Sequence, residues 1–122
     1  MGSSFTEFRN YGFWSRDPLI EEWLGELASE CRKHLSSEPW LAELCAHWEL
    51  QATGAFNGWV HANLDEFLTS QERLSFIISV SERVKDRLSA DQSLSRTGDL
   101  FIRLLKGELN TDASSPLDYI VL

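Results

Sequence analysis

Apolar residues recur at helical spacing through most of this chain. Asp17 and Pro18 favour the start of a helix, because Asp accepts hydrogen bonds at an N-cap and Pro suits the first helical position. Apolar side chains then return every three or four residues, and they comprise Leu19, Ile20, Trp23, Leu24, Leu27, Ala28, Cys31 and Leu35. This spacing predicts an amphipathic helix with one apolar stripe facing a core.

The same periodicity predicts a second helix from Pro39, joined to the first by a short connection and therefore antiparallel to it. Its stripe consists of Trp40, Leu41, Leu44, Cys45, Trp48 and Ala52. Asn63 and Glu66 favour a short helix ending near Leu68. A capping box over residues 69–72 then precedes a long helix, whose stripe is Leu74, Ile77, Ile78, Ser81, Val84 and Leu88.

The remaining segments are less regular. Residues 1–16 are aromatic, and the spacing of Phe5, Phe8 and Tyr11 by three indicates one short helix, interrupted by Gly12. Residues 89–98 are polar and predict a loop before a short apolar helix over 99–106. Residues 119–122 are apolar and are expected to dock in the core, with a short strand as the alternative. The pattern as a whole predicts an all-α fold, a single domain over 1–122 with four or five main helices and short extra helices.

Composition agrees with one soluble domain. The chain has 122 residues, of which 43% are apolar and 25% charged, as is usual for globular proteins. Its two cysteines, Cys31 and Cys45, fall on predicted apolar faces and are too few for a disulfide scaffold. We find neither a secretory amino end nor an apolar run of membrane-spanning length, so we expect a cytoplasmic protein.

The charge is strongly acidic and unevenly distributed. The formal net charge is −8, which disfavours nucleic acid and anionic membranes as partners. Residues 1–66 carry eleven acids and four bases, together with all five tryptophans and ten of the fourteen aromatic residues. Two interpretations stay open: the aromatics are core and the acids a solvated face, or the two form an acidic, aromatic binding surface.

The sequence carries no recognisable catalytic motif. Its seven glycines form no phosphate-binding loop and no nucleophile elbow, so we predict that the chain is not an enzyme. Glu30/His34 and Glu43/His47 are each four residues apart, and two antiparallel helices could bring these pairs to one metal ion. The simpler interpretation places the histidines on helix flanks beside a glutamate, and we predict no metal and no cofactor.

The chain resembles the immunity proteins of bacterial polymorphic and contact-dependent growth-inhibition toxin systems. The resemblance lies in residues 11–18 (YGFWSRDP), 56–61 (FNGWVH) and 111–118 (TDASSPLD). Immunity proteins share no diagnostic motif, so the resemblance assigns no functional residue. It implies a small acidic cytoplasmic protein that neutralises one toxin domain.

These observations predict a protein-binding inhibitor with a basic toxin domain, such as a nuclease, as its partner. It would occlude the active site or an exosite, because carboxylates can stand where phosphates would lie. The predicted binding residues are Trp14 as an anchor and the acids Glu21, Glu22, Glu26 and Glu30 of the first helix. The alternative is an adaptor, chaperone or regulatory module without a toxin partner.

Overall fold

A computed structural model describes residues 3–35, 39–53, 60–109 and 120–121. These residues form three strands and five helices. The elements are β1 (Ser3–Phe8), β2 (Tyr11–Arg16), α1 (Asp17–Arg32), α2 (Pro39–Ala52), α3 (Leu64–Phe67), α4 (Gln71–Arg87), α5 (Gln92–Leu105) and β3 (Ile120–Val121).

The prediction of an all-α fold is wrong, because the amino-terminal segment is a β-hairpin. β1 pairs antiparallel with β2, and Phe8 lies opposite Tyr11 next to the turn. β3 adds to the other edge of β2 in parallel, so the sheet order is β1-β2-β3. The chain is therefore a helix-dominated mixed α/β structure, and the strand alternative for residues 120–121 is the one observed.

The hairpin turn is a tight two-residue connection. Arg9 and Asn10 have φ values of 51° and 74°, and two positive values suit a type I′ turn, whose twist matches the flanking strands. The inward face of the hairpin is partly polar, since Ser4, Thr6 and Ser15 are buried there. Apolar and polar residues therefore do not alternate along β1 and β2. For this reason the sequence pattern does not reveal the two strands.

The helical stripes predicted from the sequence form the core. The fully buried residues of α1 are Ile20, Trp23, Leu24, Leu27, Ala28 and Cys31, whereas Leu35 is 43% exposed and lies beyond the end of the helix, so its predicted place in the stripe is wrong. Trp23 and Trp48 both contact Phe101 of α5 edge-on, at centroid distances of 5.7 and 6.4 Å. The α1–α2 contacts run in opposite order along the two helices, as predicted: Arg32 pairs with Glu49, and Gly25 lies against Ala52.

The helix α5 begins seven residues earlier than the pattern indicates. Asp91 caps it by accepting a hydrogen bond from the backbone N–H of Leu94 at 3.1 Å. Gly98 then lies under the indole of Trp23, where a Cβ would approach two ring carbons to 2.7 Å. Leu94, Thr97 and Gly98 continue the buried face of α5 through the polar residues 92–98, and the Trp23 indole packs on Gly98.

None of the helices in the described ranges is long and apolar enough to cross a membrane.

Candidate functional site

A cavity of about 450 Å³ lies between β1 and the segment 60–66, and we call it the hairpin groove. Phe5 and Trp14 are its aromatic residues. Its polar residues include Glu7, Asp65 and Glu66. It is the place where the structure brings aromatic and acidic side chains of the first half of the chain together.

Hairpin register creates the aromatic part of the groove. Phe5 lies directly opposite Trp14, so both side chains stand on the outer face of the sheet, with ring centroids 5.4 Å apart and an interplanar angle of 52°. Both are half-buried. The Phe5 ring also covers Gly12, where a Cβ would come within 2.7 Å of the ring and 2.2 Å of the Thr6 carbonyl oxygen. The Phe5 ring can occupy this position only because Gly12 has no side chain.

Two hydrogen-bonded contacts join the hairpin to the segment 60–66. The Ser4 hydroxyl accepts the backbone N–H of Val60 at 2.9 Å and donates to Asp17 Oδ1 at 2.6 Å. The backbone N–H of Arg9 donates to Asp65 Oδ1 at 3.0 Å. The hairpin, the start of α1 and the segment 60–66 are thus held as one unit.

The predicted capping role of Asp17 is wrong. Arg16 occupies the N-cap position of α1 without a side-chain capping bond, and Asp17 is the first helical residue. Its carboxylate is 8% exposed and accepts the Ser4 hydroxyl instead. Asp17 therefore joins α1 to the hairpin.

The far wall of the groove is anchored on α2. The backbone N–H of His61 donates to Gln51 Oε1 at 2.8 Å, and His47 Nε2 donates to the His61 carbonyl oxygen at 2.8 Å. Trp48 Nε1 donates to the carbonyl oxygen of Ala62 at 2.9 Å. Three side chains of one helix thereby position an irregular segment, which explains why Gln51 is buried.

The groove is electrostatically negative. Three carboxylates line it, and no lysine or arginine of the described ranges does. Arg9 contributes only its backbone, because its guanidinium lies over the Phe8 ring at 4.7 Å. Burial, and then the neighbouring His47, lower the pKa of His61 below its usual range, so this imidazole is neutral at neutral pH.

Two of the carboxylates are already oriented by protein donors. Asp65 Oδ1 accepts the Arg9 N–H, and Glu66 Oε2 accepts the side-chain amide of Asn63 at 3.2 Å. Asn63 has a left-handed backbone with φ of 54°, a conformation that Asn tolerates, and the chain turns there into α3. These bonds restrict the rotamers of the acids at the mouth of the groove.

Trp14 also carries an unused donor. Its Nε1 atom is buried and has no hydrogen-bond partner within the part of the chain that the structure describes. A buried N–H without an acceptor is unfavourable, by about 1–3 kcal/mol. Because this atom has almost no exposed surface, Trp14 offers a bound molecule its ring rather than its N–H.

The predicted α1 acids do not line the hairpin groove with Trp14. Glu26 Oε1 pairs with Arg87 Nη1 of α4 at 3.0 Å. Glu30 lies 3.1 Å from His34 Nε2 and 3.5 Å from Lys33 Nζ, and the hydrogen bond to His34 is the main cause that lowers its pKa. Two of the four predicted acids thus have cationic partners on the protein itself.

The other two acids differ from each other. Glu21 is half-buried, and burial, followed by the charge of Asp17, raises its pKa. Glu22 is exposed. Of the five predicted binding residues, Trp14 alone lines the hairpin groove, and the four glutamates remain predictions that rest on charge.

The candidate metal ligands have other contacts. His34 pairs with Glu30, His47 holds the His61 carbonyl, and Glu43 is exposed. No group of three His, Cys, Asp or Glu side chains among the described residues has the arrangement of a metal site. Cys31 and Cys45 are buried free thiols facing each other between α1 and α2, and this contact together with burial raises the pKa of Cys31.

Sequence reasoning missed Phe5, Glu7, His61, Asp65 and Glu66 as site residues. One signal was present: two runs of six residues rich in aromatic residues, 3–8 and 11–16, flank a two-residue gap containing Asn10. Pairing the runs as a hairpin would have placed Phe5 opposite Trp14. No comparable signal in the sequence joins Asp65 and Glu66 to this hairpin.

Comparisons with known proteins were negative. No protein-family model, no curated protein and no solved structure matches this chain.

Proposed function

We propose that this chain is a cytoplasmic protein-binding inhibitor that holds a basic partner in its hairpin groove. The partner is a toxin domain, as the resemblance to immunity proteins implies, and binding blocks the toxin's active site or an exosite. One observation carries the proposal: Phe5, Trp14 and three carboxylates line one cavity to which the described residues bring no lysine or arginine.

The chemistry of the groove suits a basic protein surface. A net charge of −8 steers a cationic partner toward the chain and raises the association rate. Trp is among the commonest residues that dominate binding energy, because a partly exposed indole offers a large apolar face. Basic active sites that bind phosphates match the carboxylates of Glu7, Asp65 and Glu66.

The groove is held in shape before any partner arrives. The contacts of Ser4 with Val60 and of Arg9 with Asp65 tie its two walls together. Preorganisation limits the entropy lost on binding, so more of the contact energy appears as affinity. The exposed Glu22, outside the groove, contributes by long-range attraction.

Co-expression tests the proposal. The protein encoded by the gene immediately upstream of this chain's gene is produced with and without this chain, and growth and co-purification are measured. We expect a stable complex and restored growth. Absence of both would refute the proposal, and binding to several unrelated host proteins instead would favour an adaptor or chaperone.

Substitutions then locate the contact. The triple variant Glu7→Gln, Asp65→Asn, Glu66→Gln is expected to lose rescue of growth. Its matched control, Glu43→Gln, Glu72→Gln, Glu108→Gln, removes the same three charges from exposed residues outside the groove and should retain rescue. Equal loss in both variants would show that total charge, rather than the groove, governs binding.

A further inference from the structure

We propose that Cys31 and Cys45 form a redox-sensitive clamp between α1 and α2, in which hydrogen peroxide converts the two thiols into a reversible disulfide. The clamp goes beyond the proposed function, because it concerns the two helices and not the hairpin groove. Two observations carry it: the position of the cysteines in the helix pair, and the contact between their thiols.

The register of α1 and α2 places the two cysteines at the same level. A Cβ on Gly25 would lie 3.3 Å from the Cβ of Ala52, so the two helices approach closely there. Because the helices are antiparallel, moving along α1 from Gly25 to Cys31 corresponds to moving back along α2 from Ala52 to Ala46, the neighbour of Cys45. Cys31 therefore lies across from Cys45.

The two thiols are also in contact. Both cysteines have 0% of their surface exposed, and their side chains hydrogen-bond to each other. Packed core side chains have few conformations, so these sulfur atoms stay close together in the folded chain. No third histidine, cysteine, aspartate or glutamate of the described residues joins them in the arrangement of a metal site. The pair is thus a dithiol.

The two sulfur atoms differ in reactivity. The hydrogen bond from Cys31 lowers the pKa of Cys45 against the effect of burial, and the charge of Arg32 lowers it further. The contact with Cys45, together with burial, raises the pKa of Cys31. Because the thiolate is the nucleophile, Cys45 reacts first with an oxidant, and Cys31 then attacks the product.

A small oxidant reaches Cys45 beside an exposed ion pair. Glu49 follows Cys45 by about one helical turn and pairs with Arg32 of α1 at 2.8 Å. The side chains of Arg32 and Glu49 are 39% and 48% exposed, and exposed ion pairs are weak. A transient opening at this point admits hydrogen peroxide more easily than it admits a bulky disulfide.

The reaction consumes one peroxide and releases two molecules of water. The Cys45 thiolate attacks one peroxide oxygen, the O–O bond breaks, and the leaving hydroxide takes up the thiol proton as water, which leaves a sulfenic acid on Cys45. The Cys31 sulfur loses its proton and attacks the Cys45 sulfur. The S–O bond then breaks, and the second hydroxide leaves as water. Two thiols are oxidised to one disulfide while the peroxide is reduced.

The disulfide clamps α1 to α2, because residues 31–45 become one closed loop. Such a loop restricts the unfolded chain and thereby favours the folded state. In a reducing compartment, thiol exchange cuts the bond again, and the disulfides that form there are usually transient or redox-sensing. The clamp therefore makes the stability of the helix pair depend on peroxide.

Peptide mapping of the intact chain after peroxide treatment tests the clamp. Trypsin cuts after Arg32 and Lys33, so Cys31 and Cys45 fall on separate peptides and a disulfide appears as a linked pair. We expect this linked pair in monomeric protein and its loss on addition of dithiothreitol. The midpoint of urea unfolding should be about 1 M higher than that of the reduced chain. No linked pair, a link between two copies of the chain, or a midpoint that does not rise would each overturn the inference.

Two single variants test the order of reaction with dimedone, which traps sulfenic acids. Cys31→Ala leaves Cys45 without a second thiol, and we expect dimedone on Cys45. Cys45→Ala leaves Cys31, which burial keeps protonated, and we expect at least about tenfold less label there. Tryptophan fluorescence shows whether each variant is folded, and the linked peptides of the unsubstituted chain depend on neither variant. Equal labelling, or more label on Cys31, would overturn the roles assigned to the two sulfur atoms.

Discussion

Two acidic regions of this molecule differ in how their charges are partnered. On α1, Glu26 pairs with Arg87, and Glu30 pairs with His34 and Lys33. In the hairpin groove, three carboxylates lie without a lysine or arginine among the described lining residues. Two of the four predicted α1 acids therefore have a cation beside them on the protein, whereas no described lysine or arginine lines the groove. Ion pairing within the protein, rather than the number of acids, decides which carboxylates can attract another molecule.

The surroundings strengthen this difference. Exposed ion pairs are worth about 0–1 kcal/mol and are screened by salt, so the α1 pairs mainly cancel charge locally. A concave site with apolar walls concentrates the field of its charges. Phe5, Trp14 and Leu64 supply such walls around the acids of the groove.

The largest expected effect concerns the aromatic anchor. Trp14→Ala should weaken binding of the partner by at least about 2 kcal/mol, or thirtyfold, because it removes the indole of the groove. Tyr11→Ala is the matched control, since Tyr11 is a 45% exposed aromatic of the same hairpin that does not line the groove. Calorimetry with the purified toxin domain would measure both, and equal losses would contradict the special role of the groove.

The next effect concerns Ser4, whose hydroxyl joins the start of α1 to the hairpin groove. Ser4→Ala leaves the buried Asp17 carboxylate without the Ser4 hydroxyl and the Val60 N–H without an acceptor. We expect the free energy of unfolding to fall by about 1–3 kcal/mol, measured by urea denaturation. Ser3→Ala, at an exposed neighbouring position, should change it by less than about 0.5 kcal/mol. An unchanged stability of Ser4→Ala would show that these bonds do not hold the groove.

A smaller effect separates the two sets of acids directly. Glu66→Gln should weaken partner binding about tenfold, since it removes one charge-assisted contact while Gln can still accept the Asn63 amide. Glu22→Gln on α1 removes the same charge from an exposed position and should weaken binding less than threefold. Raising the salt concentration should reduce this difference. If Glu22→Gln weakened binding more than Glu66→Gln, the result would place the binding surface on α1.

The smallest effect distinguishes two acids within α1 by pH. The pKa of Glu30 is lowered by His34 and Lys33, so its contribution to stability is present above the ordinary Glu pKa and is lost as the pH falls through the lowered value. The pKa of Glu21 is raised by burial, so the folded state is favoured at low pH and loses stability as the pH rises through the raised value.

At pH 7, Glu30→Gln should therefore destabilise the protein and Glu21→Gln should stabilise it, each by less than about 1 kcal/mol. The effect of Glu21→Gln should vanish near pH 3, below the ordinary Glu pKa of about 4.3, whereas the effect of Glu30→Gln should shrink there and vanish only below the lowered pKa of Glu30. Urea denaturation of both variants at the two pH values checks the signs. Shifts of the same sign at pH 7 would contradict the opposite environments of the two side chains.

Prediction from sequence succeeded where one face of a helix is apolar. The stripes of α1, α2 and α4 are regular, and the buried residues of these helices are largely those predicted. It failed at β1 and β2, where Ser4, Thr6 and Ser15 face inward, because their hydroxyls hide the two-residue alternation. It also failed over the first two turns of α5, where the buried face consists of Leu94, Thr97 and Gly98 and only one of these is strongly apolar.

For the candidate site, the sequence determined the class of residues but not their identity. The sequence alone shows an acidic first half that contains Trp14 and the other tryptophans, because charge and aromatic content do not depend on the fold. The grouping of Glu7 with Asp65 and Glu66 was decided only by the tertiary structure. These residues are almost sixty positions apart, and local periodicity contains no information about such a distance. Hairpin register, the Ser4 and Asp65 contacts and the anchoring on α2 bring them together, while ion pairing neutralises Glu26 and Glu30 of α1.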